Sequence, residues 1–343
     1  MSFSKKVTIA QLASEANVSV ATVSRIINKN GYVKPETREK VIKAMEKLDY
    51  QPYVKKFEDN SLRSKSLLIC FPDFRNPFYG EIIEGIQATA FSRGYLPFDF
   101  QASNPRNALK EYEFIMKENN FCGLLLAHNV SNTELLSQLR LRYPIVMCSE
   151  HCNQPNISFV SIDNTYAVQT AINYLLSIGR TKISFINSLL TNNYSRLREK
   201  GFHDAMTHAG LSIPADWITH ISDINFEMAV SAVTRILSGE NHPDAFFCVS
   251  DVYAAAAIKA IQNVGLRVPQ DISVVGFDNI DLSRMTVPSI TTIKQPSFDI
   301  GQQACNLLIN LIENPSAPAE HILLNTELIV RDSTSARINS KNN

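Results

Sequence analysis

The sequence predicts an α/β protein: a small helical head followed by a long body of parallel, doubly wound sheet in two similar halves. Three observations predict it. Apolar residues recur at helical spacing in three short segments near the N-terminus. From Ser66 onward, short and uniformly apolar runs alternate with amphipathic helical stretches, the pattern of strands covered by helices on both faces. The 343 residues also hold too many such units for one ordinary sheet or one compact core.

The head opens at Thr8, an N-cap whose hydroxyl accepts a hydrogen bond from an orphan first-turn amide. Ile9, Leu12, Ala13 and Ala16 then share one helix face. Asn17 tolerates the left-handed conformation in which helices end, and Val18 plugs the turn. Ser19 is the next N-cap and opens a second helix over 20–28. Val23, Ile26 and Ile27 face inward there, leaving Val20, Ala21, Thr22, Ser24, Arg25 and Asn28 on the outer and flanking surfaces. Small residues at a helix start allow close approach to a base edge. Thr22 and Ser24 suit phosphate oxygens, and Arg25 suits a bidentate contact with guanine O6 and N7. On spacing alone a plain helical hairpin remains open. A third helix follows Lys34-Pro35-Glu36, with Val41, Ala44, Met45 and Leu48 as its stripe and Tyr50 closing it before Pro52. Three such helices have the size a helix-turn-helix domain needs.

The net charge is zero but uneven: residues 1–65 carry 13 Lys and Arg against 7 Asp and Glu, leaving 20 against 26 for the body. A basic head of +6 on a body of −6 is the electrostatic footprint of a nucleic-acid binder. Of the six cysteines, Cys70, Cys122 and Cys248 sit in apolar runs and read as small buried hydrophobes. The cluster Cys148-Ser149-Glu150-His151-Cys152 lacks a second half, so a loop is expected there rather than a metal site. Lys5 and Lys6 precede a segment broken by Gln11 and Glu15, and no apolar run reaches membrane-spanning length. A soluble cytoplasmic protein with no membrane partner is expected.

Residues 53–65, polar and weakly patterned, read as a linker. Strands are expected at 67–71, 95–100, 122–127, 144–149, 159–163, 182–187, 244–250 and 272–278, with helices between them, and the halves divide near Asp163. Ligands in open α/β sheets bind beyond the carboxyl ends of strands, where Asp73, Asp163, Asp251 and Asp278 stand. For Asp163 and Asp251 a helix-capping or turn role fits equally well, because helical segments follow both. No Walker loop, G-x-S-x-G elbow, H-E-x-x-H helix or G-x-G-x-x-G loop occurs, so neither enzymatic activity nor a cofactor is expected. A plain solute-binding protein without DNA regulation is the alternative to a ligand-controlled regulator.

The head, TIAQLASEANVSVATVSRIIN followed by VKPETREKVIKAMEKLDYQP, resembles that of the lactose/galactose repressor (LacI/GalR) family. NPFYGEIIEGIQ, RLREKGFHDAM, DAFFCVSD, GLRVPQDISVVGFDNIDLS and PSITTIKQP extend the resemblance over nearly the whole chain in the family's order. It implies a helix-turn-helix domain (1–52), a hinge (53–65) and a core like the periplasmic binding proteins (66–338), with a polar tail at 339–343. The implied lobes are 66–164 with 296–323, and 165–295 with 324–338. Thr8, Ser19, Thr22, Ser24 and Asn28 would accompany Val20, Ala21 and Arg25, the positions that read bases in the family. The implied partners are double-stranded operator DNA and a sugar or nucleoside effector held by Phe78, Tyr79, Asp163, Arg198, Asp251 and Asp278. Asn192, Tyr194 and Ile224 occupy further contact positions of relatives. The hinge departs from the pattern: over 54–62 an ungapped alignment puts Asp59 where many members insert a leucine into the minor groove. Whether this hinge folds on DNA stays open. The polar end, 332–343, has no heptads, which favours a homodimer over a coiled-coil tetramer.

Overall fold

The structure is a computed structural model that describes residues 8–27, 33–48, 65–103, 108–130, 132–152, 154–222 and 224–336. The chain divides into two compact units, residues 1–60 and 61–343.

The first unit holds α1 (Ile9–Glu15), α2 (Val20–Ile27) and α3 (Pro35–Lys47). Thr8 caps α1 in a reciprocal box: its hydroxyl accepts from the Gln11 amide at 3.3 Å, and Gln11 Oε1 accepts from the Thr8 amide at 2.8 Å. Asn17 takes φ +52° and turns the chain, and the Val18 amide donates to the Ala13 carbonyl at 3.0 Å. Ser19 Oγ then accepts from the Thr22 amide at 3.1 Å and starts α2. Leu12, Ala13, Ala16, Val23, Ile26, Val41 and Ala44 form the core of this unit. Ile9 departs from the expected face: at the first helical position, on the rim of this small core, it is 38 % exposed. Residues 54–62, with the atypical Asp59, lie outside the described residues, as does Tyr50.

The second unit contains two six-stranded sheets. The first is built from β1 (Ser66–Phe71), β2 (Leu96–Gln101), β3 (Gly123–Leu126), β4 (Ile145–Cys148), β5 (Ser158–Ile162) and β11 (His321–Leu324), in the order β11-β5-β4-β3-β1-β2, all parallel. The second is built from β6 (Ile183–Ser188), β7 (Ile218–Ile221), β8 (Ala245–Cys248), β9 (Ser273–Asp278), β10 (Thr291–Lys294) and β12 (Glu327–Ile329). Its order is β12-β10-β9-β8-β6-β7, parallel except for β12 against β10. Helices α4 (Tyr79–Ser92), α5 (Ala108–Glu118) and α6 (Thr133–Arg140) connect strands of the first sheet. Helices α7 (Asn164–Ser177), α8 (Asn193–His208), α9 (Phe226–Leu237), α10 (Asp251–Asn263) and α11 (Leu282–Met285) belong with the second, and α12 (Ser297–Glu313) returns the chain to the first.

The central strands are buried throughout, as their uniform apolarity requires: β3, β4, β8 and β9 expose no residue. Cys70, Cys122 and Cys248 are buried within this framework. The sequence pattern did not expose β7, β10, β11 and β12, which are three or four residues each. Strand β2 is an edge strand rather than a covered one, with Leu96 and Phe98 about half exposed and Pro97 between them. Among the described residues no helix is long and apolar enough to cross a membrane.

One helix pair packs with its backbones in close approach. Helix α12 lies so close to α4 that a Cβ built on Gly85 would stand 2.1 Å from the Phe298 carbonyl oxygen, and one on Gly301 would stand 2.1 Å from that of Ile82. Two facing glycines allow this backbone approach, and α4 carries Tyr79 into the cleft from its first turn.

Candidate functional site

The outer face of α2 has the surface that reading a DNA groove requires. Val20 is 52 % exposed, and Ser19, Ala21 and Arg25 are exposed beside the half-buried Thr22 and Ser24. Ala21 and Arg25 stand four residues apart and therefore share one side of the helix. The first turn of α2 carries no acidic residue, so nothing there repels a phosphate. The Ser19 and Thr22 hydroxyls share a hydrogen bond of 2.8 Å, and Thr8 is occupied in its capping box. Asn28 lies outside the described residues.

In the second unit, an inner pocket of about 40 Å³ opens into an outer one of about 370 Å³. Phe78 and Tyr79, at the start of α4, form the aromatic wall, with ring centroids 5.3 Å apart and planes inclined by 61°. Ser149 and Glu150 enter from the carboxyl end of β4, Asp278 from the end of β9, and Tyr194 and Arg198 from α8. Arg198 is 5 % exposed and held on three sides. Its Nε donates to Asn164 Oδ1 at 2.8 Å, its Nη1 donates to the Val249 carbonyl at 2.7 Å, and its guanidinium lies 3.6 Å over the Phe277 ring. Gln295 Nε2 donates to Asp278 Oδ1 at 2.8 Å.

Burial raises both carboxyls of this pocket. It pushes Asp278 up to about 7 despite the opposing charge of Arg198, and Glu150 likewise to about 7 despite the Tyr194 amide and Arg198. Burial also holds Arg198 below its ordinary value. Ser149, Asp278 and Asn279 all have left-handed backbone, with φ of +63°, +103° and +60°. Strain of this kind is retained where surrounding structure over-determines it, which is common at ligand sites.

Comparison with known proteins places this geometry. Residues 8–53 match the family described as bacterial regulatory proteins, lacI family, and residues 172–334 match a periplasmic binding protein-like domain. The HTH-type transcriptional repressor CytR of Escherichia coli K12 is 32 % identical over 330 residues, 96 % of each chain. The chain belongs to the LacI family. PurR of Aliivibrio salmonicida is also 32 % identical over 330 residues, covering 95 % of this chain and 98 % of that one. The CelR–cellobiose complex superposes with a TM-score of 0.74 at 25 % identity, covering 95 % of this chain and 99 % of that one. The operator-bound lac repressor dimer shares the fold, with a TM-score of 0.73 at 24 % identity over 97 % of this chain and 100 % of that one. The sequence motifs RNPFYGEIIEGI and GFDNIDL, which resemble the cytidine repressor, supply Asn76, Phe78, Tyr79 and Asp278 to the pocket wall.

Four of the six expected effector residues, Phe78, Tyr79, Arg198 and Asp278, meet in the inner pocket. Asp163 does not: it is exposed and caps α7, accepting from the Tyr166 amide at 2.9 Å. Asp251 is fully buried and spent on structure, its Oδ2 accepting from the Ile280 amide at 2.9 Å and its Oδ1 from Thr292 Oγ1 at 2.6 Å. It lines neither pocket, and Ser250 rather than Asp251 caps α10. Asp73 lines the outer pocket but pairs bidentately with Arg75. Tyr194 and Ile224 line both pockets, and Asn192 lines the outer one. Among the lining residues that the sequence pattern did not single out as effector contacts are Ser149, Gln295 and, as a charged group, Glu150. Glu150 stands one residue beyond the expected end of a strand, where the rule that marked the aspartates applies equally to a glutamate.

The buried carboxyls make stability depend on pH. A carboxyl raised above its unfolded value of 3.8 binds its proton more tightly when folded, so stability is lost as pH rises toward and through about 7. Asp278→Asn removes that loss. Its Tm relative to wild type is expected to increase between about pH 5.5 and about pH 8, read by thermal melts of the apo protein. A constant difference across that range contradicts the assignment. The subtraction also cancels His128 and His151, which burial holds low and which act in the opposite sense.

Proposed function

We propose that this chain is a ligand-responsive transcriptional repressor that binds a near-palindromic operator through α2 and a sugar or nucleoside in the cleft. One observation carries the reading: a single chain joins an exposed, acid-free helix bearing Arg25 to a pocket with aromatic walls and buried charged groups. Val20 and Ala21 would meet thymine methyls, Arg25 a guanine, and Thr8, Ser19, Thr22, Ser24 and Asn28 phosphates or flanking positions. Phe78 and Tyr79 would cover a ring face, with Arg198 and Asp278 serving its hydroxyls.

The names of relatives support this reading, being those of transcriptional repressors, a cellobiose complex and an operator-bound dimer. We assign residues 1–52 to DNA binding, 53–65 to the hinge and 66–338 to the effector core, whose lobes are 66–164 with 296–323 and 165–295 with 324–338. A homodimer matches its two-fold axis to two half-sites, and the protein works in the cytoplasm where that DNA is. The solute-binding alternative gains no support from a chain whose first unit has the fold of a DNA-reading domain.

Selection of binding sites from random duplexes, with the full-length protein, tests the proposal. Enrichment of an inverted repeat is expected, and recovery of unenriched sequence contradicts it. A thermal-shift screen of sugars, nucleosides and purines tests the other half, because a ligand at a hundred times its Kd stabilises the native state by about 2.7 kcal/mol.

A further inference from the structure

Glu150 is 4 % exposed, yet its carboxylate is barely used by the protein. Oε1 has a long contact from the Tyr194 amide at 3.5 Å, the His151 amide also favours the charged carboxyl, and Oε2 has no hydrogen-bond partner. The residue lines both compartments of the cleft, and its unpartnered oxygen is closed to solvent behind that wall. The groups acting on it are Arg198 and Arg196 of α8, the Tyr194 and His151 amides, and the hydroxyl of Tyr79 on α4. With Asp278 across the inner pocket, two carboxylates face one guanidinium. A buried acceptor left unsatisfied is costly, and such an atom persists where something else satisfies it.

We propose that Glu150 determines ligand class: Oε2 accepts a hydrogen bond from a hydroxyl or amino group of an uncharged ligand, and the two carboxylates exclude the same compound carrying a phosphate. The inference rests on the cleft being the effector site and adds to that reading which compounds it takes. A donor loses little on entering such a pocket, whereas a phosphate meets two like charges and only one buried cation.

Glu150→Gln in the full chain tests this whatever the ligand proves to be. Removing an unpaired buried charge is expected to raise the Tm of the apo protein by roughly 3 °C at about pH 8, with little change at about pH 5.5 where the carboxyl is protonated. A fall in Tm at about pH 8 makes Glu150 a structural brace and overturns the proposal. The second arm compares D-ribose with D-ribose 5-phosphate, cytidine with cytidine 5′-monophosphate, and cellobiose with cellobiose phosphate, at matched concentrations by thermal shift. A neutral member is expected to stabilise the wild type, its phosphate ester not, and Glu150→Gln to lose the shift. Stabilisation by an ester, or by no compound at all, overturns the assignment. Operator selection by the same preparation shows separately whether the repressor reading stands.

Discussion

Arg25→Ala is expected to cut sharply the discrimination between operator and scrambled DNA and to leave ligand binding in the cleft intact. The expectation follows from what else α2 presents. Val20 and Ala21 offer only methyl groups to a groove, and the first turn carries no charged side chain. Arg25 is the residue of this helix able to form a bidentate contact with guanine, and one such contact is worth about 1–3 kcal/mol of discrimination. A homodimer uses it twice, so the selectivity ratio falls by roughly 30-fold to 10⁴-fold. The side chain is exposed and outside the Leu12–Val23–Val41 core, so the unit stays folded, which circular dichroism checks. Fluorescence anisotropy on the selected operator and its scrambled counterpart reads the ratio. Arg25→Lys should keep general affinity but recover little discrimination, because an ammonium lacks the planar fork. Unchanged selectivity in Arg25→Ala assigns the base reading elsewhere.

Gly301→Ala is the substitution expected to damage the body most for its size. Its new methyl would be 2.1 Å from the Ile82 carbonyl oxygen and 2.9 Å from the carbonyl carbon, both backbone atoms of α4 that no rotamer change can remove. The helices must separate, at a cost of at least about 1–3 kcal/mol for overpacking, and a fall in Tm of several degrees is expected. Moving α4 also moves Phe78 and Tyr79, so ligand binding should weaken together with stability. Gly80→Ala, on α4, is the control. A methyl there would meet nothing within 4 Å, and alanine gains about 0.5–1 kcal/mol of helix propensity. Equal effects from the two substitutions contradict the close crossing.

What the sequence made legible follows the physics of each element. Thr8, Asn17 and Ser19 act through contacts within three or four residues, so capping chemistry revealed the head's boundaries. The central strands are covered on both faces and announce themselves as apolar runs. Strand β11 alternates exposed with half-buried residues over four positions and β12 has three residues, none fully buried, too short a span for periodicity to register. Ser333 and Thr334, read as part of a polar end, are buried because Ser333 Oγ donates to the Val274 carbonyl at 2.6 Å and Thr334 bonds the Thr291 hydroxyl at 2.8 Å. The cleft was half legible. A carboxylate after a strand marks the right end of a sheet, but only tertiary packing decides whether it faces a ligand, as Asp278 does, or is consumed within the fold, as Asp163 and Asp251 are. Glu150 was hidden among cysteine and histidine neighbours that drew attention to metal ligation.

The central claim is that occupancy of the cleft controls the affinity of the head for DNA. The direct measurement is the operator Kd of the full-length protein, by anisotropy, without ligand and with a saturating compound from the thermal-shift screen. A shift of roughly 5–150-fold in either direction is predicted, and operator DNA must change the affinity for that compound by the same factor. An operator Kd that stays the same while the cleft is demonstrably occupied would contradict it.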